Sequence, residues 1–160
     1  MGYEFDVTIT GARQGLFKGD ATGKQHQGKI QGLSFSYEVL SPRDAVSGQA
    51  VGRHRYKPIT FLKAWDAATP RLFQALVTNE MLRSIVFEFY GTTADGAEKV
   101  RHTITLTDAS VEDIRLFTGN VDQINQYEAH DLEEVSLIFQ KIRIQDNATG
   151  LSSADSLNDR

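Results

Sequence analysis

Histidines and carboxylates are the side chains of this chain suited to acid/base work or to holding a metal, and its 160 residues include no cysteine. Thiolate nucleophiles, disulfide frameworks and cysteine-based zinc sites are thereby excluded. The 4 histidines are His26, His54, His102 and His130, and no two have the i, i+4 helical spacing of a zinc pair. They predict no catalytic residue, no metal site and no cofactor. Asp131, Glu133 and Glu134 lie close together and would act as acid/base partners only in a convergent pocket. Charged positions at the entrance of a strand explain them more simply. Gly11-Ala12-Arg13-Gln14-Gly15 follows a strand, as a phosphate loop does, but it lacks the GxxxxGK[ST] pattern and no helix signal comes after it. It reads as a turn. Trp65 would make a stacking platform for a ligand, yet one aromatic between a strand and a helix is more often a packing lid.

The elements that must position these residues are mostly strands. Phe5, Val7 and Ile9 alternate with Glu4, Asp6 and Thr8 over residues 3–10, which is the period of a half-buried strand. Over residues 30–40, Leu33, Phe35, Tyr37 and Val39 alternate with Ser34, Ser36 and Glu38. A third strand over 57–64 places Ile59 and Phe61 on one face, with Pro58 tolerated at its start. Ile85, Phe87 and Phe89 mark a strand over 84–90, and Asp95-Gly96 turns the chain into a return strand over 100–107. Residues 111–117 fit either period, and strand is the reading taken. The last strand, 133–144, carries Val135, Leu137 and Phe139 on one face and shifts phase before Ile142 and Ile144, which predicts a bulge or sharp bend near Gln140.

One segment has the period of a helix. Thr69-Pro70 supplies a capping hydroxyl and a proline where its missing N–H costs little. Leu72, Phe73, Leu76 and Val77 follow as an apolar stripe, so a short helix ending near Met81 is expected to bury all four against a sheet or barrel end. About seven strands and one flanking helix predict a mainly β fold, a small β-barrel or two-sheet sandwich. Residues 1–146 form that domain, and 147–160 read as a polar, mobile C-terminal tail.

Between two strands, residues 41–56 form a loop of about sixteen residues, a length that is usually functional. Gly48 and Gly52 give it freedom, and Arg43, Arg53, Arg55 and Lys57 outnumber its single acid, Asp44. The plain reading is a solvated hairpin loop; the sharper one is an arm that docks on an acidic patch of a neighbouring subunit. Elsewhere the balance is acidic, with 17 Lys+Arg against 21 Asp+Glu and a net charge of -4, so no nucleic-acid partner is expected. Residues 1–10 lack the basic start and apolar run of a secretory signal, and no stretch approaches the roughly 18 apolar residues of a membrane span. Membrane insertion is not expected, and export would need a dedicated machine.

The order of these features resembles the haemolysin-coregulated protein (Hcp) family of type VI secretion. Leu33-Ser34-Phe35-Ser36-Tyr37 resembles its LSFSW-type strand, with tyrosine for tryptophan, and Arg53-His54-Arg55-Tyr56-Lys57-Pro58-Ile59-Thr60-Phe61 is similar to its RxHKPLxF-type segment, with one extra residue at Tyr56. The helix from Pro70, the strand Ile104-Thr105-Leu106-Thr107-Asp108-Ala109 and the strand 134–142 look like further family segments in the same order. The resemblance implies a barrel-like protomer assembling as a homo-hexameric ring, rings stacking into a tube expelled by sheath contraction, and effector proteins carried or chaperoned in the lumen. Spike and sheath proteins would be partners. The protein would be cytoplasmic before firing, secreted without a signal peptide, and not an enzyme. Arg43, Gly48, Arg53, His54, Arg55 and Lys57 would then belong to a ring or stacking interface. A small-ligand-binding β-barrel is the alternative.

Overall fold

A computed structural model of the chain describes residues 5–22, 26–50, 52, 55–118 and 131–157. Its strands are β1 (Phe5–Gly11), β2 (Gly15–Phe17), β3 (Ile30–Ser36), β4 (Val39–Leu40), β5 (Arg55–Tyr56), β6 (Ile59–Ala64), β7 (Leu82–Thr92), β8 (Glu98–Thr118), β9 (Asp131–Ile138), β10 (Lys141–Asp146) and β11 (Ser152–Ser156), with helix α1 (Thr69–Val77) between β6 and β7. Hydrogen bonding runs β8-β7-β1-β3-β6-β9, and β9 returns to β8, which closes a 6-strand barrel. Closure removes the sheet edges that these strands would otherwise expose.

Period-two alternation decides what fills the barrel. Val7 and Ile9 from β1, Ile59 and Phe61 from β6, Ile85 and Phe87 from β7, and Val135 and Leu137 from β9 are all essentially inaccessible. Phe35, Phe61 and Phe5 surround Phe87 with ring centroids 5.1, 5.6 and 6.2 Å away, so the interior is occupied by side chains. At Gly32 a Cβ would fall only 2.1 Å from the Phe5 ring, which is why the strand has no side chain at that point. The register of β3 on β6 shifts between Gly32 and Ser34. That bulge moves the inward phase from Ile30 to Phe35, in place of the unbroken alternation expected from Leu33.

The two segments read as separate strands on either side of Asp108 are one continuous strand, β8. Asp108 adopts φ 53°, a local kink that re-aims the strand without ending it. The first half of β8 lies between β7 and β10, and the second half pairs with β9 from Ser110 to Thr118. The bend expected near Gln140 is present: β9 ends at Ile138 and β10 starts at Lys141 on the same edge of β8.

Residues 147–157 are folded back onto the domain where a mobile tail is expected, and the remainder of that segment, 158–160, lies outside the described residues. Chain 146–150 turns back, with Gly150 at φ 80°, and β11 pairs with β10 from Gln145↔Ser152 to Lys141↔Ser156. Leu157 donates its N–H to Gln140 O and packs on the core. Ser152–Ser156 has no apolar alternation, so backbone pairing alone makes it a strand.

Helix α1 is shorter than expected, and it buries a different stripe. Leu72 and Ala75 are fully buried and Leu76 is partly so. Phe73 and Val77, expected in the core, are 56% and 51% exposed. At 100° per residue the inward line through Ala68, Leu72 and Ala75 carries Phe73 and Val77 onto the outer flank. Thr69 does not cap the helix, because the preceding Asp66 accepts from Ala68 N–H while the Thr69 hydroxyl bonds elsewhere. No helix among the described residues is long and apolar enough to cross a membrane.

Candidate functional site

The long basic loop is an ordered arm for much of its length. Val39↔Tyr56 and Leu40↔Arg55 pair as a two-stranded ribbon, and an Arg43↔Ala50 bridge continues it outward. At the tip, Asp44 N–H donates to Gln49 O and Gly48 N–H donates to Asp44 O, with Gly48 at φ 74°. The Asp44 carboxylate accepts from Ser47 Oγ at 2.8 Å and from Val46 N–H at 3.2 Å. The Ser47 hydroxyl first, then the Val46 amide, hold its pKa below the ordinary carboxylate value. The arm's single acid therefore knots its own turn, and Val46 beside it is 95% exposed.

The structure brings Arg43, Gly48 and Arg55 together on this exposed ribbon. Lys57 stands at its base, with Nζ 3.1 Å from Glu38 Oε1. Arg53 and His54 lie outside the described residues. Tyr37 and Tyr56, both departures from the family pattern, meet the same ring: they pack edge-on to Phe139 with centroids 6.0 and 6.1 Å away. The arm is thus rooted in the core, and its described residues 43–50, 52 and 55 are exposed.

A second exposed surface is apolar. Phe73 and Val77 on α1, Met81 just after it and Leu16 on β2 are each about half exposed or more. The turn between β1 and β2 is tied to both ends of α1, with Gln14 Nε2 donating to Arg71 O in the first turn and Arg13 to Thr78 O just past the last.

Sequence reading missed three polar locks among the described residues. In the first, Glu80 is 2% exposed and its Oε2 accepts from Arg13 N–H at 2.9 Å and Gln14 N–H at 2.8 Å. The turn that resembled a phosphate loop does cradle an anion, namely this carboxylate. Burial alone would push the Glu80 pKa up; the amides of Gln14 and Arg13, the Gln14 side chain and the Arg13 charge outweigh it and hold it below the ordinary value.

In the second, Lys63 and Glu133 face each other across β6 and β9, both with 0% side-chain exposure and 2.7 Å apart. Lys63 Nζ also lies 2.8 Å from Asp66 Oδ1 and donates to Ala64 O. Thr69 Oγ1 donates to Glu133 Oε1 and accepts from Lys63 Nζ and Asp66 N–H. Glu133 is thus a wholly buried structural ion, unlike the exposed strand entrance inferred for it, and only Asp131 has that exposure. Trp65 is 42% exposed and donates Nε1–H to Leu132 O at 2.8 Å, which fixes it over the rim of this cluster.

The third lock joins His26 to Asp6 and Glu98, at 2.5 and 2.7 Å. None of the three locks leaves a reacting group aimed into a pocket. The ribbon from Val39 to Tyr56 projects from a packed barrel, and Phe73 and Val77 on α1 form an apolar flank that stays exposed.

Residues 7–145 match the family model described as type VI secretion system effector, Hcp. The chain is 32% identical over 158 residues to the major exported protein of Pseudomonas aeruginosa, covering 93% of this chain and 92% of that one. Among solved structures, an Hcp protein crystal structure aligns with TM-score 0.88 at 25% identity over 98% of both chains. The secreted protein Hcp3 of Pseudomonas aeruginosa aligns with TM-score 0.79 at 25% identity, over 97% of this chain and 98% of that one.

Proposed function

The chain belongs to the Hcp family of type VI secretion, and on that premise we propose that it is the repeating subunit of the secretion inner tube. Six copies close a ring, rings stack into a tube, and sheath contraction expels the tube with effector proteins carried in its lumen. The protein is made in the bacterial cytoplasm and leaves with the tube, in contact with sheath, spike and effectors. Its work is mechanical and needs no cofactor. The observation that carries this reading is the family match over 7–145, coincident with the closed barrel and its flanking helix.

Within that assembly the arm bearing Arg43, Gly48, Arg53, His54, Arg55 and Lys57 is the ring or stacking contact. Its basic character and the exposed Val46 at its tip support the assignment. The exposed flank of Phe73 and Val77 is a second surface available for burial between copies.

Light scattering of the purified protein, with negative-stain imaging of the same sample, tests the ring. A mass near six subunits with annular particles is expected. A clean monomer from micromolar to millimolar concentration would overturn it.

A further inference from the structure

His26 lies in the connection between β2 and β3, and both of its ring nitrogens face carboxylates. Nδ1 is 2.5 Å from Asp6 Oδ2 on β1, and Nε2 is 2.7 Å from Glu98 Oε1 at the start of β8. A neutral imidazole carries one N–H, so it satisfies one of these oxygens and sets its lone pair against the other. Only the imidazolium donates to both at once. We propose that His26 is a proton-operated clip: charged, it fastens the β2–β3 connection to β1 and to the base of the β7–β8 hairpin; neutral, it releases one side.

The two carboxylates against the ring, Asp6 and Glu98, favour the charged state. Asp6 from β1 is buried, Glu88 and Tyr90 come from β7, and Glu98 comes from β8. The Tyr90 ring lies 4.6 Å from the imidazole, and its hydroxyl hydrogen bonds Asp6; burial first, then the charges of Asp6 and Glu88, keep that phenol protonated as a donor. Lys29, the nearby cation on the same connection, is taken up by Glu88 at 2.8 Å. The hydrogen bond to Glu98 is the largest influence raising the His26 pKa; burial opposes it, and the Asp6 bond and the two carboxylate charges add to the rise.

A histidine pKa raised in the folded protein adds stability that is complete below the ordinary value of about 6.5 and is lost as pH rises through the raised value. The clip is therefore closed in mild acid and opens toward alkaline pH. Its local reporters are the amides of Gly19, Ala21, Gly28 and Lys29, whose bonds to Gly28 O, Lys29 O, Ala21 O and His26 O fold the connection.

The test is an NMR titration of the His26 ring nitrogens in the wild-type chain, read alongside hydrogen exchange at those four amides. With intrinsic exchange corrected, their protection is expected to fall about tenfold per unit of linked pKa change as His26 loses its proton. Glu98→Gln, a change at a half-exposed position, is expected to lower the His26 midpoint and bring the loss of protection down in pH with it. Protection that stays flat through the His26 titration, or a Glu98→Gln profile that superimposes on wild type, would overturn the proposal.

Discussion

Lys63 and Glu133 stand directly opposite one another on β6 and β9, joined at 2.7 Å and closed off from solvent. Removing Lys63 leaves the Glu133 carboxylate buried without its counter-ion, at a cost of about 3–5 kcal/mol, whereas replacing both partners with apolar residues of similar volume is often neutral. Lys63→Met alone is expected to show that loss in urea denaturation, and Lys63→Met combined with Glu133→Leu to recover part of it. Equal destabilisation by the single and double variants would mean that the pair is not energetically coupled.

Glu80 and the β1–β2 turn give a prediction with a pH signature. Glu80→Ala leaves the amides of Arg13 and Gln14 without their acceptor, and about 1–3 kcal/mol of stability should be lost. Because the folded pKa of Glu80 is depressed, its contribution is present above the unfolded carboxylate value of about 4.3 and lost as pH falls through the folded value. Wild type should lose its advantage over Glu80→Gln on acidification, and a constant gap between them down to the acid transition would contradict this.

On helix α1 the inner and outer flanks should respond differently. Leu72→Ala empties a fully buried site and is expected to cost about 2–5 kcal/mol. Phe73→Ala, on the exposed flank, should change the stability of the isolated subunit by less than about 1 kcal/mol. Melting of ring-free subunits reads both, and a comparable drop for the two variants would refute the assigned orientation.

Gly32 makes the tightest demand on packing. An added Cβ meets the Phe5 ring at 2.1 Å, and Phe5 is itself held among Phe35, Phe87 and Phe89. Gly32→Ala should therefore cost about 1–3 kcal/mol by overpacking. An unchanged melting midpoint would show that the Phe5 ring moves aside without penalty.

The arm is testable through assembly. Reversing charge at Arg43 and Arg55 should leave ring formation intact and weaken ring stacking, with stacks dispersing at lower salt than wild type. Sedimentation of the two proteins across a salt series reads this directly. Stacks equal to wild type at every salt would remove the arginines from the interface.

Where burial follows a period of two, the sequence was legible. Phe5, Val7 and Ile9, then Ile59 and Phe61, then Val135 and Leu137 all occupy the inner face, and the phase shift near Gln140 marks a true break. One more step of the same alternation carries Lys63 and Glu133 inward as well; the signal was there, but charge argued against it. Glu80 and Gln14 are 66 positions apart, and no local pattern encodes such a bond. Phe73 and Val77 failed for a different reason. An apolar stripe records that a surface avoids water, but not whether its own chain or another copy covers it.

Strand β8 belongs to two structures at once: its second half closes the barrel against β9, and its first half carries β10 and, through it, β11. No flexible joint separates the two, since Asp108 bends the strand without interrupting it. A force on the outlying hairpin is therefore delivered along a single backbone and resisted as shear by a row of hydrogen bonds loaded together. If the chain works as the tube subunit proposed above, the barrel and its outer sheet would move as one body, transmitting compression instead of absorbing it at a hinge.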